Sequence, residues 1–185
     1  MRRAELERIG VQLPVLPAIA LGPLPGEPDW ASRLAALGLD AVHSGAEVDS
    51  PATVAQARAA APWSVVMARP RPGEQEALLA AGARLLETDE PVPAGAYGLT
   101  LDAGALVCVD SRDRAVEDPN DIAARVIEAA WRRSPAELWV AAPHGLETLP
   151  RAVVEDKLAA LVEGTRQARL AIAKVQFEDD EFFAR

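Results

Sequence analysis

Cysteine is almost absent from this chain. One residue, Cys108, stands among 185, which excludes an internal disulfide framework and any zinc site built from several thiolates. Histidine is nearly as scarce, with two residues, so chemistry must come mostly from carboxylates, guanidiniums and those two rings. No apolar run approaches the roughly 20 residues of a membrane span. The opening MRRAELERIG is too polar for a secretory signal, and a cytoplasmic protein is expected. Basic residues are outnumbered, 19 Lys+Arg against 28 Asp+Glu for a net charge of -9. That balance opposes attraction to phosphate backbones or anionic lipid, so neither nucleic acid nor membrane is an expected partner. There is no G-x-G-x-x-G after the first apolar run, no P-loop, no G-x-S-x-G elbow, and no H-E-x-x-H or H-x-x-E-H spacing.

What is present is an ordinary globular composition, 50% hydrophobic and 25% charged, long enough for one domain with a buried core. Gly and Pro punctuate it at intervals that suit alternating strands and helices. Val15 to Leu21 reads as a strand, then Asp29 caps a helix that Gly38 stops after Leu37. Leu39 to His43 reads as the second strand, and Ser50-Pro51 opens a helix to Ala61. Trp63 to Ala68, a helix over Gly73 to Ala81, and Ala83 to Glu87 repeat the pattern. Pro91, Pro93, Gly95, Gly98 and Gly104 leave room only for short strands near Tyr97 to Leu101 and Leu106 to Asp110. Asp118-Pro119 then starts a helix, Leu138 to Ala142 is a strand, and a last helix from Thr148 or Pro150 carries an apolar stripe to Ile172.

Strands joined by helical crossovers imply a parallel sheet. The expected fold is α/β, a shortened or incomplete (β/α)8 TIM-type barrel, because a complete one takes about 250 residues. Residues 1–173 form a single barrel-like domain, and 174–185 form an acidic, aromatic C-terminal tail. About six or seven strands against five readable helices leave some edge or face bare, which predicts a protein partner or a homo-oligomer. Tryptophans 30, 63, 131 and 139 fall inside predicted elements and are expected to pack.

Function in such folds gathers where strands run into the following loops. The groups found there are His43 to Glu47, Arg69, Asp89-Glu90, Asp110 to Arg112, and His144 to Glu147. Carboxylates, imidazoles and guanidiniums at one rim suit a small zwitterion or a metal. Cys108 is expected inside its strand as a small hydrophobe.

The segment ELWVAAPHGLETLPRAVVEDKLAALVEGTR, residues 137–166, resembles the C-terminal end of the catalytic barrel of cobalamin-independent methionine synthases. There a strand, a Pro-containing loop with Cys-Gly-Leu and a helix rich in Lys-Leu and Leu-Val follow one another. Upstream, ALVCVDSRDRAVEDPNDIAARV, GARLLETDEP and LGLDAVHSGAE resemble other strand ends of that family. The resemblance implies a barrel in which zinc, held by His, Cys, Glu and Cys, activates the homocysteine thiolate to attack the N5-methyl of a folate. His144 stands where the final Cys ligand would fall and is the metal-ligand candidate. The family's His-x-Cys pair has no counterpart, since Pro91 to Gly104 contains neither residue. The carboxylates that hold the substrate amino group correspond to Glu47, with a one-residue offset, and Asp89. The expected binding set for a small amino-acid-like molecule is therefore Glu47, Asp89, Asp110, Arg112 and His144. Three functions follow: a homocysteine methyltransferase-related barrel, a non-catalytic subunit that assists another protein, or a metal-free enzyme of the wider uroporphyrinogen-decarboxylase-like group.

Overall fold

The computed structural model describes residues 2–26, 29–99 and 105–183. Its elements run α1 (Arg2–Arg8), β1 (Ala18–Ala20), α2 (Trp30–Leu37), β2 (Ala41–Val42), α3 (Pro51–Ala60), β3 (Val65–Ala68) and α4 (Gln75–Ala81). They continue with β4 (Leu85–Glu87), β5 (Tyr97–Leu99), β6 (Ala105–Val107), α5 (Pro119–Arg132), β7 (Trp139–Ala142) and α6 (Arg151–Phe183). The predicted punctuation operates as read. Ser50 and Thr53 form a reciprocal capping box on α3, Asp118 accepts the Asn120 N–H at the start of α5, and Gly38 ends α2 at φ 89°. Asp29 precedes α2 without capping it, because its carboxylate is bonded to Arg151 at 2.9 Å.

All paired strands are parallel, in two ladders of order β1-β7-β6 and β2-β3-β4-β5. Asp40 stitches the seam between them. Its N–H donates to the Ala18 carbonyl at 3.0 Å and its carboxylate accepts the Ala18 N–H at 2.7 Å, giving the continuous order β6-β7-β1-β2-β3-β4-β5. Tyr97 of β5 lies 6.0 Å, centroid to centroid, from Trp139 of β7. Strands so far apart in the order meet only if the sheet curls around an interior.

Side-chain alternation confirms that curl, since successive strand residues face opposite ways. Ile19, Ala41, Met67, Leu85, Leu99 and Trp139 form one buried cluster, whereas Ala20, Val42, Val66, Leu86 and Val140 join the helices in another. The first is the interior of a shortened TIM-type barrel and the second is its outer layer. Leu6 of α1 and the following Val11 belong to the inner cluster, and α1 packs on the 3₁₀ turn Pro135–Glu137 just before β7. That turn and residue 11 precede strands, so α1 closes the N-terminal end and leaves the C-terminal end as the mouth. A seven-residue helix shows too little period to be read from sequence, and α1 was not anticipated.

Residues 88–96 join β4 to β5 without a helix, as the Pro and Gly pattern predicted. The strand expected to Leu101 runs to Leu99, and its last two residues lie outside the described segments. Helix α6 continues through Phe183, so the backbone of the predicted tail carries on the last helix. Trp30 and Trp139 are buried as expected, but Trp63 and Trp131 are exposed. They lie where the outer helices and turns meet solvent, so position inside or beside an element did not secure their burial. Leu16, fully buried at φ 57°, is a left-handed non-glycine residue, a conformation costing about 1–2 kcal/mol. Arg169 of α6 offsets that strain by donating to the carbonyls of Val15 at 2.9 Å and Leu16 at 2.8 Å while pairing with Asp40. Among the described residues no helix is long and apolar enough to cross a membrane.

Candidate functional site at the barrel mouth

The inner-face register that fills the barrel with Ala41, Met67 and Leu85 places His43, Arg69 and Glu87 two residues further along β2, β3 and β4. Continued past the paired residues, the register sets Arg69 opposite Glu87 and His43 one inward position lower, opposite Met67, so three consecutive strands end the apolar interior with an imidazole, a guanidinium and a carboxylate. All three are largely withdrawn from water: His43 is 1% and Arg69 8% exposed, and the Glu87 side chain is 10% exposed.

Glu87 is the centre. One carboxylate oxygen meets His144 Nε2 at 2.5 Å. The other lies 3.4 Å from Arg69 Nε and accepts the Gly22 N–H at 3.3 Å. Burial pushes its pKa up, but the His144 hydrogen bond and the Arg69 charge outweigh this, and the carboxyl ends below its usual value. His144 is correspondingly held above the ordinary histidine value, first by its hydrogen bond to Glu87. Gly22, at φ 77°, is required beside this ring, because a Cβ there would lie 2.9 Å from His144 atoms.

Asp49 builds the other wall. Its carboxylate accepts the Ser44 hydroxyl at 2.5 Å, the Thr53 hydroxyl at 3.2 Å and the Arg69 N–H at 2.9 Å. Arg69 also donates to the Ala46 carbonyl, so its guanidinium spans the loop after β2 and the end of β4. Burial lowers the Arg69 pKa against the support of Glu87 and Asp49. His43 accepts the Gly45 N–H at Nδ1, 3.0 Å away, which assigns the proton of the neutral ring to Nε2. Burial, and then the Arg69 charge, lower its pKa to about 4.

Of the five residues expected to bind a ligand, His144 is drawn directly into this network. Glu47 is exposed at the same mouth, close enough for its charge to act on Arg69. Asp89 is exposed two residues past Glu87. Asp110 and Arg112 hold each other through paired bonds of 2.9 and 2.8 Å, which keeps the Asp110 carboxyl well below its usual range. Behind them the fully buried Lys157 bonds Glu117 at 3.1 Å, and Glu117 accepts the Asp110 N–H at 2.7 Å. That ion pair ties down the loop after β6. Glu87 itself, the hub, was missed, because Leu85 faces inward and Leu86 outward and two leucines in a row do not show which parity is the inner one.

These donors do not fit the zinc that the family resemblance implies. Cys108 lies in the outer cluster, where burial pushes its thiol up to about 11 and away from the thiolate a metal needs. Among the described residues no three His, Cys, Asp or Glu side chains gather to hold a metal ion.

No family model matches the chain, and no curated protein matches it. Among solved structures, a B12-independent methionine synthase from Shewanella sp. W3-18-1, in complex with selenomethionine, is similar at a TM-score of 0.34 and 14% identity. The match covers 65% of this chain and 44% of that one.

Proposed function

We propose that the chain is a methionine-synthase-like barrel that binds a small amino-acid-like molecule at this mouth, with Glu87 taking the ligand's ammonium in place of His144. The observation that carries this is the environment of the Glu87 carboxylate. It is nearly buried, ionised, and paired to a ring that is 46% exposed. Exchanging an imidazolium for an ammonium keeps the charge balance, and the bond is charge-assisted with either cation. Glu47 and Asp89 stand at the outer edge, where they add attraction for a cation. Arg69 supplies the opposite charge for the other end of a zwitterion.

Calorimetry with L-methionine and L-homocysteine tests this. Wild type should release or absorb heat, and Glu87→Gln should weaken binding roughly 10- to 100-fold. No heat with either amino acid sinks the proposal. Zinc analysis runs beside it: less than about a tenth of a metal ion per chain is expected, and a full equivalent would return zinc-dependent methyl transfer to first place.

A second reading, a subunit that docks on another protein or a second copy, is favoured by the face between α5 and α6. Trp131 is 74% and Val175 39% exposed there, in an apolar groove that they line with Ile127, Pro135 and Ile172. A strictly monomeric mass at micromolar concentration with every candidate partner would remove it.

A further inference from the structure

We infer that His43 and Arg69 form a carboxylate-binding subsite on the inner wall of the barrel mouth, beneath the Glu87–His144 pair. This deepens the amino-acid reading of the same site by assigning the end of the ligand that Glu87 does not hold.

Hydrogen-bond accounting points there. The Asp49 carboxylate is occupied by two hydroxyls and a backbone N–H, and Glu87 by His144, Arg69 and Gly22. These two withdrawn carboxylates of the mouth are used. Among the donors, His43 Nε2 is buried and has no hydrogen-bond partner among the described residues. Its ring is fixed by the Gly45 N–H on Nδ1, so Nε2 carries the proton. The Ala20 carbonyl comes near enough to favour the protonated ring slightly, but it does not reach hydrogen-bond geometry. The Arg69 guanidinium uses Nη2 on Ala46 and Nε on Glu87, leaving Nη1 without a partner among the described residues.

A buried N–H left unsatisfied costs about as much as a lost hydrogen bond, and the His43 Nε2–H near the Arg69 charge asks for an acceptor. A neutral donor beside a guanidinium suits a carboxylate: charge comes from Arg69 and direction from His43. The inner-face register places both on the side of the sheet that carries Glu87, so a short α-amino acid can reach Glu87 with its ammonium and this wall with its carboxylate. His144 is the piece that yields, since its ring makes no other hydrogen bond among the described residues.

The experiment follows the imidazole nitrogens by NMR in the full chain, with three probes: L-methionine, 4-(methylthio)butanoate without the amine, and 3-(methylthio)propylamine without the carboxylate. Methionine and the butanoate should shift the His43 Nε2 resonance, whereas the amine should move only His144. His43→Phe, which removes the donor, should weaken methionine roughly 10- to 100-fold, and His43→Gln, which keeps an N–H, should recover part of the loss. Methionine binding that leaves His43 Nε2 unmoved overturns the subsite while the Glu87 site stands. A butanoate response without methionine binding supports the subsite and removes the amino-acid reading. Silence from all three probes overturns the inference. Because the wild-type spectrum decides these outcomes, they do not depend on whether His43→Phe folds.

Discussion

At the ends of β2, β3 and β4 the polar residues His43, Arg69 and Glu87 sit in the inner-face register and are almost wholly buried. Past the end of β6, Asp110 and Arg112 stand in the loop with side chains 40% and 87% exposed. Both sectors belong to the same rim and both contain an Arg–carboxylate pair. They differ in dielectric. In the first, each charge has been taken out of water and depends on a partner from another strand. In the second, water already solvates both ions and the pair adds little. Sequence proximity to a strand end therefore did not separate a site from a surface, whereas parity along the strand does.

The sharpest way to break this contrast is to remove one cation from each sector. Arg69→Met leaves the buried carboxylates of Glu87 and Asp49 short of their counter-charge and should cost about 3–5 kcal/mol in urea unfolding. Arg112→Met should leave the midpoint unchanged within error. Equal losses would show that the two sectors share one environment.

Next in size is an acid effect confined to the buried sector. His43 faces Arg69, Asp49 and Glu87, and its folded pKa is lowered from 6.5 to about 4. Between those values the unfolded chain takes up a proton that the folded chain refuses, so stability rises with pH there and falls as the solution is acidified from about 6.5 to 4. The loss from this group approaches about 3 kcal/mol. His43→Phe should flatten that part of the stability curve, whatever it does to the absolute value. An unchanged slope would mean that His43 titrates normally.

The smallest effect concerns His144, which is half in water. Its pKa is raised by Glu87, so its contribution is complete below the unfolded histidine value and is lost as pH rises through the folded value. Glu87, with its pKa lowered, contributes above the unfolded glutamate value and loses that contribution as pH falls through its folded value. The pair is thus intact between the two. Glu87→Gln should return the His144 titration, followed by NMR, toward the ordinary value. A titration that does not move would place another anion on the ring.

Local signals carried most of the architecture. Ser50-Pro51, Asp118-Pro119 and Gly38 mark helix ends through backbone chemistry that acts within a few residues, and the short apolar runs between them alternate as strands must. Those signals, with no crossover helix readable between Pro91 and Gly104, were enough for a shortened parallel barrel. They also placed His144 on a loop at the rim. The inward direction of Glu87 was not legible, since Leu85 and Leu86 are both apolar and buried on opposite faces of the sheet.

What the chain determined by itself, then, is where each element starts and stops and which residues share a face, because both follow from period and capping within a dozen residues. What only the tertiary structure decided is who meets whom across the barrel. His144 and Glu87 lie 57 residues apart in sequence, and Arg169 finds the strained Leu16 across most of the chain. Those encounters depend on how the sheet curls. The same curl buries His43 without an acceptor for Nε2 among the described residues and leaves Trp63 and Trp131 outside, since burial belongs to the packed surface and not to the residue.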